Sequence, residues 1–307
     1  MSDEKVYNFM GIAKPALALS VIMIIISIVS IATRGLSFGL DFTGGTLVEV
    51  EYAKAPQIND VRHQLEAHKY ENFVVQKFGS DTSILVRLQQ EHSESIGTEV
   101  VGALSANGEQ VTLSRSEFVG SQVGEELREQ GGLGLLLALG VIMLYIAFRF
   151  QFKFSVGAVM ALVHDVIITV GMFSLFQWDF DLNVLAAVLA VIGYSLNDTI
   201  VVSDRVRENF RRLREETPIE IINISLTQTL SRTIVTGLTT LLVLVALFLF
   251  GGPALKGFST ALIIGIIVGT YSSIYVASNL LLIMNISKED LMIPVKEGEG
   301  AELDERP

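Results

Sequence analysis

Residues Ile192 to Val202 read Ile-Gly-Tyr-Ser-Leu-Asn-Asp-Thr-Ile-Val-Val, an apolar stretch that is interrupted by the carboxylate of Asp198. An ionisable side chain at membrane depth costs about 2.5–3.5 kcal/mol even on the lenient insertion scales, so it faces the interior of a helix bundle. Such side chains carry protons or ions, or hold helices together. In a membrane protein, this stretch therefore favours a transporter or an energy-coupling subunit over a soluble enzyme.

The composition of the whole chain is that of a polytopic α-helical membrane protein. Half of its 307 residues are hydrophobic, 18% are charged and the mean hydropathy is +0.51. Six apolar runs approach the roughly 20 residues that cross about 30 Å of hydrocarbon. The first run exceeds the apolar length of a secretory signal and follows acidic residues, so we expect an uncleaved anchor. We predict membrane segments at 15–33, 131–150, 155–176, 182–203, 230–250 and 258–284, a domain at 34–130, a loop or amphipathic helix at 204–229, and tails at 1–14 and 285–307.

Positive charges near the segment ends predict the orientation of the helices, because cytoplasmic loops retain lysine and arginine. The turn after the second segment holds Arg149 and Lys153, and five arginines lie between Arg205 and Arg214, after the fourth segment. We therefore expect both termini to be cytoplasmic and the domain at 34–130 to lie outside. The arginines near Arg211 are interpreted as an orientation signal with some affinity for anionic lipid.

The interval at 34–130 switches between strand and helix periodicity several times. Val48, Val50 and Tyr52 alternate with Glu49 and Glu51, which is typical of a strand with one buried face. The predicted order is strand, helix, strand, strand, helix, strand, the order of a ferredoxin-like α+β sandwich. No nucleophile elbow or glycine-rich phosphate loop accompanies it, which favours a binding or force-transmitting domain. The predicted elements are 46–52, 58–68, 73–78, 84–88, 95–105 and 110–118.

Two glycines precede the first of these strands. Gly44 and Gly45 end the run Gly-Leu-Asp-Phe-Thr-Gly-Gly that begins at Gly39, close to the exit of the first membrane segment. Glycine permits backbone angles that are closed to other residues, so the pair is a candidate hinge. An ordinary turn capped by Asp41 explains the same residues, and the sequence leaves both interpretations open.

The charge and the residue counts exclude several kinds of site. The net charge of −11 and the pI of about 4.9 do not favour nucleic-acid binding, which needs clustered lysine and arginine. The chain has no cysteine, so it has neither a disulfide nor a thiolate metal site. Its four histidines are scattered, without the spacing of metal ligands. We expect no metal and no bound cofactor.

Asp198 has a candidate partner in the fifth segment. Arg232 lies near the cytoplasmic end of that segment, at a depth similar to that of Asp198 on the antiparallel fourth segment. A pair would keep Asp198 ionised, and a proton arriving on Asp198 would release Arg232. Thr233 and Thr236 are candidates to hydrogen-bond the alternative arrangement, and Asn197 is a candidate polar contact between helices. A static ion bridge, or an Arg232 side chain that extends to the interface, is the alternative.

A second polar site lies in the third segment, at His164 and Asp165. Adjacent residues on a helix point about 100° apart, so only one of them faces a given partner. Either residue is a relay member or a packing hydrogen bond. Asp165 and Asp198 also raise the possibility of an intramembrane aspartyl protease, in which paired carboxylates activate water. Neither aspartate lies in the Gly-Leu-Gly-Asp setting that such proteases resemble.

The motifs described above, taken in order along the chain, resemble the SecF sequences of the SecD/SecF family of bacterial protein-export membrane proteins, in the RND (resistance-nodulation-division) superfamily. The resemblance covers nearly the whole chain. It is carried by Gly39–Gly45, by Val163-His164-Asp165, by Gly193–Val202 running into Asp204–Asn209, and by Ser231-Arg232-Thr233.

The resemblance implies a six-helix half of an RND-type transporter in the bacterial inner membrane, with SecD as the related half. It implies a non-enzymatic subunit that uses the proton-motive force to promote translocation of unfolded preproteins through SecYEG, after or alongside ATP-driven SecA. It further implies YajC and YidC as partners, and protons as the coupling ion. Asp198 and Arg232 match the proton-responsive residues of the family, with Thr236 nearby. A passive assembly scaffold and a small-molecule exporter remain as alternatives.

Overall fold

The computed structural model describes residues 6–70, 73–89, 95–213, 215–288 and 290, with the backbone alone at Pro253. Most of the expected tail at 285–307, the first five residues of the expected N-terminus and Arg214 of the basic patch lie outside the described residues. In chain order the elements are a 3₁₀ turn (Phe9–Ile12), α1 (Ala13–Arg34), β1 (Ser37–Phe38), α2 (Leu40–Thr43), β2 (Gly45–Tyr52), α3 (Ile58–Ala67), β3 (Phe73–Lys77), β4 (Ser83–Leu88), α4 (Ile96–Leu104), β5 (Val111–Val119), α5 (Ser121–Arg149), α6 (Phe152–Phe176), β6 (Asp179–Phe180), α7 (Leu182–Arg212), α8 (Pro218–Phe250), α9 (Pro253–Ser272), a π-helical turn (Ser273–Ala277) and α10 (Ser278–Ile283).

Six helical runs in the described part of the chain are long and apolar enough to cross a membrane. They are α1 with the preceding 3₁₀ turn, α5, α6, α7, α8, and the continuous run of α9, the π-helical turn and α10. The outer faces of α5 and α8 are largely exposed, whereas α6, α7 and the α9 run are half buried within the bundle. These three helices therefore form the centre of the bundle.

The residues between α1 and α5 form a separate α+β domain. Its sheet has the order β3-β4-β2-β5 with antiparallel pairing throughout, and α3 and α4 cover one face. The alternation in β2 produces the one buried face that the sequence predicts, since Val48, Val50 and Tyr52 are buried in the core of the domain. The predicted fold class, six membrane helices with an inserted ferredoxin-like domain, is confirmed.

Two membrane helices extend beyond the apolar runs that the sequence indicates. α5 begins at Ser121, directly after β5, so the chain passes from the domain into the second membrane helix with Gly120 alone between them. α8 begins at Pro218, where Thr217 and Glu220 form a reciprocal capping box. Proline is favoured at the first helical position because its missing N–H has no partner there. Most of the segment at 204–229 is consequently helical.

A small parallel strand pair joins the domain to the bundle. β1 follows α1, and β6 lies in the turn between α6 and α7, with Ser37 opposite Asp179 and Phe38 opposite Phe180. α7 then begins at Leu182, where the Asp181 side chain accepts a hydrogen bond from the Val184 N–H at 2.8 Å. The start of α7 is therefore attached to the chain that leads from α1 into the domain.

Candidate functional site

Asp198 lies on α7 and faces α8. Its Oδ1 accepts a hydrogen bond of 2.6 Å from the Thr233 hydroxyl. Its Oδ2 is buried and has no partner within 3.5 Å among the described residues, although the Ser273 hydroxyl lies near the carboxyl group. A buried carboxylate oxygen without a donor is costly when the group is ionised. Asp198 thus combines one oxygen anchored by Thr233 with one that lacks a close donor and can accept a proton.

The expected ion pair between Asp198 and Arg232 does not form: no contact within 4.0 Å joins their charged groups in the described chain. Arg232 is exposed and lines a groove of about 270 Å³ with Asp204 and Glu208. Consecutive helical residues point about 100° apart, so α8 presents either residue 232 or residue 233 to α7. The structure presents Thr233, which is 5% exposed.

Two further predicted residues lie at the margin of this site. Thr236 is exposed, and its hydroxyl donates to the Arg232 carbonyl at 2.8 Å, a contact within α8. Asn197, next to Asp198 on α7, is also exposed. The structure therefore brings Asp198 and Thr233 together and leaves the other three predicted residues, Arg232, Thr236 and Asn197, outside this contact.

Asp165 is fully buried at the junction of α6, α7 and α9. Its Oδ1 contacts Nδ1 of His164 at 2.8 Å, so the two adjacent side chains meet each other. Its Oδ2 accepts hydrogen bonds from Ser195 on α7 and, at 2.8 Å, from Ser272 on α9. With both oxygens occupied and no exposed surface, Asp165 offers no room for a peptide substrate beside Asp198. This arrangement does not favour the protease interpretation.

His164 has a free ring nitrogen. The ring stacks on Tyr271 with centroids 6.2 Å apart, and its Nε2 is buried without a hydrogen-bond partner among the described residues. The Tyr271 hydroxyl in turn accepts a hydrogen bond of 3.2 Å from Ser20 on α1. The His164–Asp165 pair therefore connects α1, α6, α7 and α9.

A cluster of hydroxyls on the sixth membrane run was not predicted. Ser272 and Ser273 are fully buried where α9 changes into the π-helical turn. Ser272 donates to Asp165, and Ser273 accepts a hydrogen bond of 3.5 Å from Thr199, the residue after Asp198. π-Helical turns within α-helices occur frequently at functional sites. The run Tyr-Ser-Ser at 271–273, inside an apolar segment, was the available sequence signal.

Glycines hold α9 closely against α7. A Cβ at Gly265 would lie 2.1 Å from Cγ2 of Val191, and a Cβ at Gly269 would lie 3.0 Å from Cβ of Ser195. Small residues four apart allow membrane helices to approach closely. The helix that carries Asp198 is therefore in close contact with the membrane run that carries Ser272 and Ser273.

The predicted hinge is a close-packed junction in this structure. Gly44 has φ 65° and ψ 179°, and a Cβ there would lie 2.6 Å from Cα of Ser121 at the start of α5. Gly45 has φ 114°. Oδ2 of Asp41 accepts a hydrogen bond of 3.1 Å from the Leu182 N–H, at the start of α7. Asp41 thus caps α7 rather than its own turn, and whether the glycines act as a hinge stays a prediction.

Comparison with known proteins gives two matches to family models and a set of similar sequences. Residues 100–287 match the family described as "Protein export membrane protein SecD/SecF, C-terminal", and residues 29–56 match the "SecD/SecF GG Motif". Over 311 aligned residues the chain is 51% identical to protein translocase subunit SecF of Vibrio alginolyticus, covering 100% of this chain and 99% of that protein. It is 53% identical to the Pseudomonas aeruginosa subunit, covering 98% and 97% of the two chains.

A solved structure has the same fold. The crystal structure of SecDF from Thermus thermophilus, described as a translocon-associated membrane protein, superposes with a TM-score of 0.84 at 38% identity. The match covers 92% of this chain and 39% of the SecDF chain, so this protein spans about two fifths of that relative. The chain therefore belongs to the SecD/SecF family of protein-export membrane proteins, as a SecF-type translocase subunit of the inner membrane.

Proposed function

We propose that this subunit couples proton movement across the inner membrane to the export of unfolded preproteins, with Asp198 as the proton-responsive group. The observation that carries the proposal is the asymmetric environment of Asp198. Thr233 anchors one oxygen at 2.6 Å, while the other oxygen is buried without a partner among the described residues. Asp165 has a polar partner on each oxygen, which favours a structural role within the same bundle.

Protonation of Asp198 changes the contact between α7 and α8. A hydrogen bond to an ionised acceptor is roughly twice as strong as one between neutral groups. A proton on Asp198 therefore weakens its bond with Thr233 and removes a buried charge. The affected helix, α7, packs closely on α9 through Gly265 and Gly269 and is held by Asp41 at its other end.

The energy available from the membrane potential is of the required size. One elementary charge crossing 100 mV provides about 2.3 kcal/mol. A hydrogen bond to a charged group contributes about 1.5–3 kcal/mol. One proton per event is therefore enough to shift a two-state contact between helices.

The family also supports specific partners. We propose that SecD supplies the other half of the transporter, because this chain matches 39% of a SecDF chain. The exposed apolar faces of α5 and α8 then contact SecD and lipid. We further propose cytoplasmic termini, a periplasmic α+β domain and export through SecYEG with SecA acting upstream. YajC and YidC are further proposed partners.

Export into vesicles that contain the channel, SecD and this chain tests the proposal. We compare the wild type with Asp198→Asn, with and without an imposed proton gradient. Asp204→Asn is the matched control, because Asp204 lies on the same helix but is 38% exposed and paired with Arg149. We expect the gradient response to be lost in Asp198→Asn alone. Equal responses from all three, with the complex intact, would favour the passive scaffold.

A further inference from the structure

The turn between α6 and α7 is fastened to the α+β domain by side chains as well as by the backbone. In the backbone, β6 pairs with β1, and the Gly39 N–H donates to the Phe180 carbonyl at 2.8 Å. This attachment lies three residues before α7 begins. This turn therefore links the domain directly to the start of α7.

Asp179 is the centre of the side-chain attachment. Nη2 of Arg87, on β4, lies 3.0 Å from its Oδ2, and Nε2 of Gln76, on β3, donates to the same oxygen at 2.5 Å. The Ser37 hydroxyl donates to Oδ1 at 3.2 Å, and Nη1 of Arg87 donates to the Phe38 carbonyl at 2.9 Å. We call Arg87, Gln76, Ser37 and Asp179 the Asp179 clamp.

The Asp179 clamp differs from the other ion pairs of the domain in burial. The side chains of Arg87 and Asp179 are 11% and 26% exposed, whereas those of Arg115 and Glu117 on β5 are 45% and 44% exposed. Exposed pairs contribute little to stability, but removing one partner of a buried pair leaves a charge without compensation. Among the described residues, the clamp is therefore a largely buried polar link between the sheet and the bundle.

We infer that Arg87 is a positioning residue that holds the α+β domain on the α6–α7 turn, so that a displacement of α7 reaches the domain. The inference rests on the proposed function, since it concerns the transmission of the event at Asp198. α7 is unbroken from Leu182 to Arg212. At 1.5 Å per residue, Asp198 lies about 24 Å along the helix from Leu182. A rigid helix of this length connects the proton-responsive carboxylate to the clamp.

Three variants of the full chain test this role in the vesicle export assay. Arg87→Gln removes the charge but keeps hydrogen-bond donors. Arg115→Gln is the matched control, because Arg115 and Arg87 line one cavity of about 390 Å³, but Arg115 pairs with Glu117 within the domain. The double variant Arg87→Asp with Asp179→Arg restores an ion pair of reversed direction. Export is measured with and without the proton gradient, so that the gradient-driven part is separated from the ATP-driven part.

We expect Arg87→Gln to lower the gradient-driven rate by about fivefold or more, the lower end of typical coupling free energies. The ATP-driven rate stays at the wild-type value, Arg115→Gln behaves like the wild type, and the reversed pair regains most of the response. A general loss of structure in Arg87→Gln would instead lower both the gradient-driven and the ATP-driven rates. In that case Asp179→Asn, which removes the charge of the other partner in the ion pair, is measured in the same way.

An unchanged gradient response in Arg87→Gln would overturn the role of the clamp, provided that Asp198→Asn loses its response in the same vesicles. If Asp198→Asn also kept its response, the proposed function itself would fail. Failure of the reversed pair to recover, with the chain folded and bound to SecD, would contradict a role that depends on the ion pair.

Discussion

Replacement of Gly44 by alanine tests whether the junction between the domain and α5 is as tightly packed as the geometry indicates. At φ 65° and ψ 179°, Gly44 occupies a region of backbone angles that is essentially restricted to glycine. Alanine there costs about 1–3 kcal/mol of strain. Its Cβ would also lie 2.6 Å from Cα of Ser121, a backbone atom that has no rotamer with which to move away. Overpacking of this kind adds about 1–3 kcal/mol.

Gly35 provides a control that separates the two contributions. Its angles, φ 67° and ψ −165°, are in the same region, but a Cβ there would meet nothing within 4 Å. Gly35→Ala therefore bears the strain of about 1–3 kcal/mol alone. Gly44→Ala has both the backbone strain and the overpacking, so we expect its free energy of unfolding to fall by about 2–6 kcal/mol in total.

The assay is denaturant unfolding of the full chain in detergent micelles, followed by protease sensitivity of the α+β domain. We expect Gly44→Ala to unfold at a clearly lower denaturant concentration than Gly35→Ala, and both to unfold below the wild type. Equal midpoints for the two alanine variants would refute the argument from close packing. A loose, mobile hinge at Gly44 would produce that result.

Two further predictions concern individual carboxylates. Burial raises the pKa of Asp181, against the effect of the Val184 N–H and together with the nearby charges of Asp41 and Asp179. The folded state therefore favours the protonated form of Asp181. The resulting stabilisation is present at a pH below the pKa of the unfolded chain, about 3.9, and is lost as the pH rises through the higher pKa of the folded protein. Asparagine also caps helices but does not ionise, so Asp181→Asn should become more stable relative to the wild type as the pH rises through the folded pKa of Asp181. An identical pH dependence of the two unfolding midpoints would contradict a raised pKa at Asp181. Thr233→Val should lower the free energy of unfolding by about 1–3 kcal/mol and reduce gradient-driven export, because Asp198 loses its hydrogen-bond donor. Thr233→Ser keeps a hydroxyl donor and should retain both the stability and the export rate. A Thr233→Val variant with wild-type export would count against a role for this contact.

The sequence was sufficient for the features that depend on patterns along one segment. Apolar runs of membrane length predicted the six helices, and the switches of periodicity predicted the order of the α+β domain. The buried face of β2 follows directly from the alternation at Val48, Val50 and Tyr52. Asp198 was also identifiable, because a lone carboxylate in an apolar helix needs a specific reason.

The contacts of the site depended on the rotation and approach of separate helices, which no single segment specifies. The choice between Arg232 and Thr233 as the residue facing Asp198 is a rotation of about 100° on α8. Gln76 and Asp179 meet although they are 103 positions apart, and Ser195 donates to Asp165 from another helix. Asp41 had the chemistry of a cap in the sequence, but the helix that it caps is α7, which begins 141 positions later.

The most direct test of the account measures whether protonation at Asp198 moves the α+β domain. The chain has no native cysteine, so spin labels can be placed at Asp60→Cys on α3 and Phe250→Cys at the end of α8, both of which are exposed. The distance distribution between the labels is measured in vesicles with SecD, with and without a proton gradient. We expect the gradient to change this distribution in the wild type but not in Asp198→Asn. The same gradient-dependent change in both proteins would contradict it.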